Sequence, residues 1–320
     1  MSKAVILVVG ANGQLGSVLV KELQMIYGIT NVIASDVYLN PDFEGIFELL
    51  DATDMVSIHS VIKQYSVTQI YQLAAILSAK GEQHPLKTWE LNTKMMLNVF
   101  EVARNSGVYK VFFPSSIAVY GTKAPLQKSP QSVFLNPSTV YGISKAAGEN
   151  WAQYYFEKYD LDIRSIRYPG VIGYQSMPGG GTTDYAVDIY HSAVKRENFK
   201  CFLKADTKLP MVFMEDAIRA TIELMQTPKE NIKTRTSYNL GSMSLNPSEI
   251  YEAIKKQHPS FEIQYQPDFR QVIADNWPKS IDDKEARNDW GWEPKFNLKS
   301  MTSVMLKKLE EKYKKIKKHN

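Results

Sequence analysis

A tyrosine and a lysine four residues apart, Tyr141 and Lys145, are the side chains with the clearest capacity for proton transfer. Asn136 and Pro137 precede them, which is typical of a helix start, so the spacing predicts one shared helical face. A tyrosine hydroxyl has a pKa near ~10 and is a poor base at neutral pH. An ammonium group one turn away favours the phenolate and makes the hydroxyl a usable acid or base. By itself, however, the spacing favours a half-buried tyrosine beside a solvated lysine, so the chemistry depends on the rest of the chain.

A glycine-rich segment near the N-terminus predicts a site for the phosphates of a dinucleotide. Apolar residues 4–9 are typical of a strand buried on both faces, and a helical pattern of apolar residues begins at Leu15. Glycines between a strand and a helix let the backbone approach a pyrophosphate, and the helix N-terminus supplies free amides and a positive dipole. We therefore assign cofactor binding to Gly10, Asn12, Gly13, Gln14, Leu15 and Gly16.

Asp36 predicts which dinucleotide binds. It ends an apolar strand pattern at residues 31–35, twenty positions beyond Gly16. A carboxylate there accepts hydrogen bonds from the adenosine ribose hydroxyls and repels a 2′-phosphate, which favours NAD over NADP. The alternative is a strand-end aspartate in a polar turn. The other predicted cofactor contacts lie at later strand ends or on the intervening helices: Asp51, Ala52, Leu73, Ala74, Ala75, Asn92, Tyr141, Lys145 and Tyr168.

Strand and helix patterns alternate along the first half of the chain. After the segments already described, the apolar patterns predict strands at residues 47–52, 69–75, 107–114 and 163–170, with helices between them. This alternation predicts an α/β fold with a doubly wound parallel (Rossmann) sheet. Ligands of such sheets bind beyond the carboxyl ends of the strands, where the candidate residues fall.

Two structural units are expected. Residues 1–173, with a return segment near 209–243, are predicted to form the NAD-binding domain, and residues 174–208 and 244–320 a smaller α/β substrate lobe. Three tryptophans, Trp277, Trp290 and Trp292, are expected to pack this lobe rather than to bind a ligand.

A second glycine-rich segment, residues 179–187, indicates an anion site in the substrate lobe. Its three glycines lead into a helical pattern with threonine hydroxyls at the start. Free amides, a helix dipole and hydroxyl donors suit a small carboxylate, although a flexible linker ending in a threonine cap is the alternative. The predicted contacts to a small-molecule substrate are Ser78, Ser115, Ser116, Tyr141, Gly180, Thr182, Thr183 and Asp184.

Together these motifs resemble the extended short-chain dehydrogenase/reductases, the group that includes the nucleotide-sugar epimerases. The pattern that matches comprises Gly10, Gly13, Gly16, Asp36, Asp51 and a serine ahead of Tyr141-x-x-x-Lys145. The resemblance implies that Tyr141 is the catalytic acid or base and that Lys145 lowers its pKa and holds the nicotinamide ribose. It also implies that Ser116, with Ser115 as the neighbouring candidate, steadies the reacting hydroxyl or carbonyl.

Further segments resemble the epimerase-like group of L-threonine 3-dehydrogenases over nearly the whole chain: residues 78–82, 168–170, 178–187 and 209–211. This resemblance implies NAD-dependent oxidation of the C3 hydroxyl of L-threonine to 2-amino-3-ketobutyrate. It also implies a homodimer formed through the helices after Met95 and around Tyr141. Val171 and Ile172 stand where sugar-nucleotide relatives usually carry an asparagine for the diphosphate.

Three other functions stay open at this stage. The first is a sugar-nucleotide epimerase or dehydratase of the same superfamily. The second is a non-catalytic NAD(H)-sensing module, although Ser116, Tyr141 and Lys145 are all present. The third is an interaction protein that acts through the lysine-rich C-terminal tail, Lys307 to Lys318.

Composition narrows the class of protein. The last fourteen residues hold seven lysines and two glutamates, a net +5, and the whole chain carries +4. The remainder is therefore near −1, which argues against a nucleic-acid partner, and the tail is expected to form an amphipathic helix. Cys201 is the only cysteine, so no intrachain disulfide can form, and the five histidines lack metal-ligand spacing. Without a membrane-length apolar run or a secretory leader, a cytoplasmic setting is expected.

Overall fold

The computed structural model describes residues 4–319. The strands are β1 (Ile6–Val9), β2 (Val32–Asp36), β3 (Ile46–Leu49), β4 (Gln69–Gln72), β5 (Lys110–Ser116), β6 (Asp162–Tyr168), β7 (Gly170–Ile172), β8 (Phe199–Cys201), β9 (Leu209–Phe213), β10 (Tyr238–Asn239), β11 (Met243–Leu245) and β12 (Ile263–Tyr265). The helices are α1 (Gly16–Tyr27), α2 (Met55–Tyr65), α3 (Ser78–Gly81), α4 (Pro85–Asn105), α5 (Val140–Tyr159), α6 (Tyr185–Lys195), α7 (Met214–Gln226), α8 (Pro247–Lys255), α9 (Phe269–Asp275), α10 (Lys284–Trp290) and α11 (Leu298–His319).

A seven-stranded sheet organises the molecule, in the order β10-β6-β5-β4-β1-β2-β3, and all of its neighbouring strands are parallel. Apolar side chains of α2, α4 and α5 cover one face, and those of α1 and α7 cover the other. The predicted doubly wound parallel sheet is therefore confirmed. The strand order reverses between β1 and β4, and such a reversal opens a crevice at the carboxyl ends of the strands.

Two smaller sheets lie outside the central one. Strands β7, β9 and β11 form a three-stranded sheet, and β8 pairs with β12. Helices α6, α8 and α11 pack with these sheets around a separate apolar cluster. The predicted return segment divides between the two regions, because β9 joins the small sheet whereas β10 joins the large one. The proposed domain boundaries stay a prediction.

Helix α5 begins three residues later than the sequence pattern indicated. Its N-cap is Thr139, whose hydroxyl accepts a 3.0 Å hydrogen bond from the Gly142 amide. The Asn136 side chain instead accepts a hydrogen bond from the Lys123 amide in another loop, which removes it from the capping role. The expected helix start at Asn136 and Pro137 was wrong, because a tertiary contact competes for the capping side chain.

The predicted strand at residues 163–170 proved to be two strands in different sheets. Strand β6 ends at Tyr168 in the central sheet, and β7 begins at Gly170 in the small one. Pro169 lies between them and has no amide hydrogen to continue a ladder, so the chain leaves the central sheet here. Within residues 4–319, no helix combines the length and apolar character needed to cross a bilayer.

Candidate active site

A cavity of about 490 Å³ opens at the carboxyl edge of the central sheet. The loop between β1 and α1 forms one wall, and the ends of β5 and β6 form the floor with the first turn of α5. Residues 75–80 and 176–184 form the opposite wall. This volume is within the usual range for a small-molecule site.

Tyr141, Lys145 and Ser116 meet at the bottom of this cavity, and all three line it. The Ser116 hydroxyl lies close enough to that of Tyr141 to oppose the rise in the tyrosine pKa, and it accepts a 3.1 Å hydrogen bond from the Ala118 amide. The Lys145 ammonium lies 5.6 Å from the centre of the Tyr141 ring and 4.5 Å from that of Phe113. The predicted shared face of Tyr141 and Lys145 is therefore present in the fold.

Burial dominates the electrostatics of this group. It raises the pKa of Tyr141 to about 12, against the opposing effect of the Ser116 hydrogen bond. Burial also lowers the pKa of Lys145 to about 7, because its charged form loses water. The expected lowering of the tyrosine pKa by lysine is therefore absent in the protein alone. The lysine is itself only partly charged at neutral pH, and the phenolate needs a further positive charge nearby.

The β1–α1 loop has the geometry of a phosphate cradle. Gly10 has φ +87°, and a Cβ there would lie 2.7 Å from the Ala74 nitrogen. A Cβ on Gly16 would lie 2.2 Å from the Gly10 oxygen, so a larger side chain cannot be accommodated at either position. Among the described residues, the amides of Gln14 and Leu15 have no partner within the chain, and both residues line the cavity. These two free amides at a helix start fit the pyrophosphate of NAD.

The predicted adenosine contacts lie beside the cradle rather than in the cavity wall. Asp36 ends β2, and its carboxylate accepts a 3.0 Å hydrogen bond from the Asn12 amide. Asp51 follows β3 and caps its own turn through the Thr53 amide. Ala52 is buried, and its carbonyl accepts a hydrogen bond from Asn98. Both carboxylates therefore lie at the carboxyl edge of the sheet, where an adenosine would extend from the cradle.

Asn92 and Tyr168 are tied to the protein itself. The Asn92 amide group both accepts from and donates to the backbone of Ile76, at 2.8 and 3.0 Å, and so holds the chain after β4. Leu73 and Ala75 of that segment line the cavity. Tyr168 also lines it, but its hydroxyl is hydrogen-bonded to Thr221 on α7, and burial raises its pKa. These contacts indicate that both residues shape the cavity.

The expected anion cradle at Gly180 is occupied by the chain's own carboxylate. Asp184 accepts hydrogen bonds from the amides of Gly180 and Gly181 at 2.8 and 2.7 Å. Those amides are therefore not free for a substrate carboxylate, and this part of the sequence interpretation was wrong. The hydroxyls of Thr182 and Ser78 face each other at 3.3 Å, and both residues line the cavity with Thr183.

Ser115 lines the cavity, but its hydroxyl is engaged elsewhere. It donates a 2.6 Å hydrogen bond to the buried Glu149 carboxylate. Ser116 is therefore the better candidate for holding a reacting hydroxyl.

Trp277 was expected to be a core residue, and the structure shows that it also borders the cavity. It packs in the apolar cluster of the smaller sheets and also lines the cavity. Its indole nitrogen is buried without a hydrogen-bond partner among the described residues. Nothing in the sequence distinguishes this tryptophan from Trp290 and Trp292, because its exposure to the cavity depends on how the C-terminal segment packs.

Comparison with known proteins identifies a family model, a relative and two solved structures that this chain is similar to. A model of the NAD dependent epimerase/dehydratase family matches residues 6–241. An uncharacterized epimerase/dehydratase of Staphylococcus haemolyticus is 41% identical over 312 residues, which cover 96% of this chain and 98% of that protein.

Two solved structures are similar over nearly the full length. A GalE-like L-threonine dehydrogenase from Cupriavidus necator, in its holo form, is 51% identical with a TM-score of 0.94, and the match covers 95% of this chain and 99% of that chain. A monomeric L-threonine 3-dehydrogenase from a metagenome, in its apo form, is 45% identical with a TM-score of 0.93, covering 96% and 99%.

Proposed function

The chain belongs to the NAD-dependent epimerase/dehydratase family, and we propose that it oxidises the C3 hydroxyl of L-threonine to 2-amino-3-ketobutyrate. The observation that carries the proposal is the cavity in which Ser116, Tyr141 and Lys145 face the paired hydroxyls of Ser78 and Thr182. The similarity to L-threonine dehydrogenases, at 45 and 51% identity, supports the choice of substrate.

The reaction divides between the cofactor and the side chains. When bound, NAD supplies the acceptor for the hydride that leaves C3. Tyr141 removes the proton of the C3 hydroxyl, and the Ser116 hydroxyl donates a hydrogen bond to the same oxygen and keeps it beside the phenol. Lys145, in its protonated form, supplies positive charge near the phenolate, and it would hold the ribose hydroxyls of the bound cofactor. Positioning these groups in register supplies most of the rate enhancement.

Recognition of the amino acid depends on the opposite wall. Asp184 is the one carboxylate lining the cavity in the described part of the chain, and we assign it to the substrate ammonium group. The hydroxyls of Ser78, Thr182 and Thr183 and the free indole N–H of Trp277 are assigned to the substrate carboxylate. These donors take the carboxylate-binding role that was expected of the amides of Gly180 and Gly181, because both amides already donate to Asp184.

NADH formation measured side by side with L-threonine, L-allo-threonine, L-serine and 3-hydroxybutyrate tests the proposal. We expect L-threonine to be the best of these substrates. Threonine performing no better than hydroxybutyrate would mean that the amino group is not recognised. Free NADH also separates this activity from that of an epimerase, because an epimerase retains its cofactor. Binding of NAD without turnover of any substrate would favour a sensing module.

Substitution of the proposed base is the second part of this test. Tyr141→Phe should reduce kcat by ~10²–10⁴, the usual contribution of general acid–base catalysis, and should leave NAD affinity nearly unchanged. Tyr251→Phe is the matched control, because it removes a tyrosine hydroxyl from α8, a helix that does not line the cavity. Near-normal turnover in Tyr141→Phe would rule out the assignment of the base.

The face formed by α4 and α5 is our proposed homodimer contact. Large apolar side chains are exposed on both helices, including Leu86 at 86%, Ile143 at 46% and Tyr154 at 41%. The monomeric relative shows that a dimer is not general among similar proteins. Sedimentation of the wild type and of Leu86→Glu should give a dimer and a monomer respectively, and a monomeric wild type would reject this contact. The expected cytoplasmic setting stays a prediction.

A further inference from the structure

We propose that Glu149 and Arg167 act as positioning residues, which hold the catalytic helix in register with the two strands that carry the other site residues. We call these two side chains, together with Ser115, the clamp. The inference rests on the proposed role of Tyr141 and Lys145, and it assigns a task to buried charges that the reaction itself does not use.

The clamp joins three elements through short hydrogen bonds. Arg167 on β6 donates to both oxygens of Glu149 on α5, at 2.9 and 2.7 Å. Ser115 on β5 donates to the same carboxylate at 2.6 Å. The side chains of Arg167 and Glu149 are 4% and 1% exposed, so water does not compete for these bonds. A bidentate arginine–carboxylate pair restricts orientation as well as distance.

Each member of the clamp is adjacent to a residue of the proposed active site. Ser115 precedes Ser116, Arg167 precedes Tyr168, and Glu149 lies one helical turn beyond Lys145. In the sheet, Ser115 is paired with Arg167, and Ser116 with Tyr168. A shift of α5 against β5 would therefore break the clamp and change the distance from Tyr141 to Ser116 at the same time.

The arginine is also anchored on its far side. Its remaining nitrogen donates to the Gln131 carbonyl at 2.9 Å and to the Asn239 side chain at 3.1 Å. Asn239 in turn donates to the Asp282 carbonyl at 2.8 Å. The clamp is thus fixed to the body of the protein, and α5 is the element that it holds in place.

Stability alone is a weak explanation for this pair. Burying two charges costs desolvation, and apolar residues of the same volume often stabilise a fold as well or better. A fixed orientation is what apolar packing supplies least well. Displacement of reacting groups by about 1 Å can lower a rate ~10²-fold, so the register between α5 and β5 has a large effect on turnover.

Glu149→Gln tests the clamp, because it keeps the shape of the side chain and removes its charge. The matched control is Asp162→Asn. Asp162 forms ion pairs at 2.7 Å with Arg164, on the same strand β6, and with Arg235, at the opposite end of that strand from the cavity. Both variants lose one charge of a buried pair, so both should lose thermal stability. Ser115→Ala removes a single hydrogen bond and serves if Glu149→Gln does not fold.

Two measurements separate positioning from general destabilisation, both at a temperature where every variant is folded. The first is steady-state kinetics with L-threonine, in which Glu149→Gln should lower kcat ~10–100-fold with little change in KM. Ser115→Ala should lower kcat less, and the kcat of Asp162→Asn should stay within about twofold of the wild-type value. The second is the ultraviolet titration of Tyr141 in the NAD-bound protein, with Tyr141→Phe as the blank. Its midpoint should shift in Glu149→Gln and not in Asp162→Asn.

The clamp is rejected if Glu149→Gln keeps the wild-type kcat and titration midpoint, or if Asp162→Asn loses as much activity. The wild-type rate with threonine tests the proposed function separately. The titration needs no substrate, so the clamp can be judged even if threonine proves not to be oxidised.

Discussion

Replacing Lys145 by methionine should change how the stability of this protein depends on pH. The lysine is 4% exposed, and burial lowers its pKa from the ordinary 10.5 to about 7. At 1.4 kcal/mol per pH unit, this difference corresponds to about 5 kcal/mol by which the fold disfavours the charged lysine at low pH. Methionine has a similar shape and no charge to bury.

The sign follows from proton binding. Between about pH 7 and pH 10.5 the unfolded chain keeps the lysine proton and the folded protein has lost it. The unfolded state therefore binds more protons, and the lysine contribution to the free energy of unfolding rises with pH across this window. Between about pH 7 and pH 9 the rise is about 2 kcal/mol, because the unfolded lysine remains charged while the folded one becomes neutral.

Urea denaturation without NAD at these two pH values measures the effect. The free energy of unfolding of the wild type, minus that of Lys145→Met, should increase by about 2 kcal/mol from pH 7 to pH 9. Exposed Lys21 provides the control, and Lys21→Met should show no such dependence. A difference between wild type and Lys145→Met that does not vary with pH would refute the burial argument, and with it the argument that the phenolate needs a further positive charge nearby.

Two further predictions concern cofactor and substrate recognition. Asp36→Asn should narrow the preference for NAD over NADP by at least ~10-fold, because a carboxylate no longer repels the 2′-phosphate; steady-state kinetics with both cofactors measures this, and an unchanged preference would remove Asp36 from the adenosine site. Asp184→Ala frees the amides of Gly180 and Gly181 and removes the proposed ammonium contact. The value of kcat/KM should therefore fall ~10–100-fold for threonine and much less for 3-hydroxybutyrate, and equal losses would mean that Asp184 only shapes the loop.

Local patterns were sufficient to predict the frame of the site. The continuous apolar run before Gly10 and the helical pattern after it identify a buried strand and a crossing helix, and Gly16 leaves no room for a side chain against the Gly10 carbonyl. Because strands and helices alternate and crossovers are right-handed, a parallel sheet with one shared carboxyl edge follows from the pattern. The four-residue spacing of Tyr141 and Lys145 places both on one face of any helix that contains them.

Competition between distant groups could not be predicted in this way. Asn136 has the side chain of a helix cap, but a loop amide at Lys123 takes it, and Thr139 caps α5 instead. The amides of Gly180 and Gly181 look like an anion site in the sequence, yet Asp184 folds back onto them. In both cases the partner is decided by which groups the fold brings within hydrogen-bonding distance.

The sequence by itself therefore determined the parallel sheet, the nucleotide loop and the tyrosine–lysine pair, because each depends on the spacing of neighbouring residues and the backbone geometry that spacing permits. Only the tertiary structure decided the pKa shifts of that pair, the hydrogen bond from Ser115 to Glu149 and the position of Trp277 at the cavity. These features depend on burial and on contacts between residues far apart in the chain, and neither quantity is present until the layers have packed.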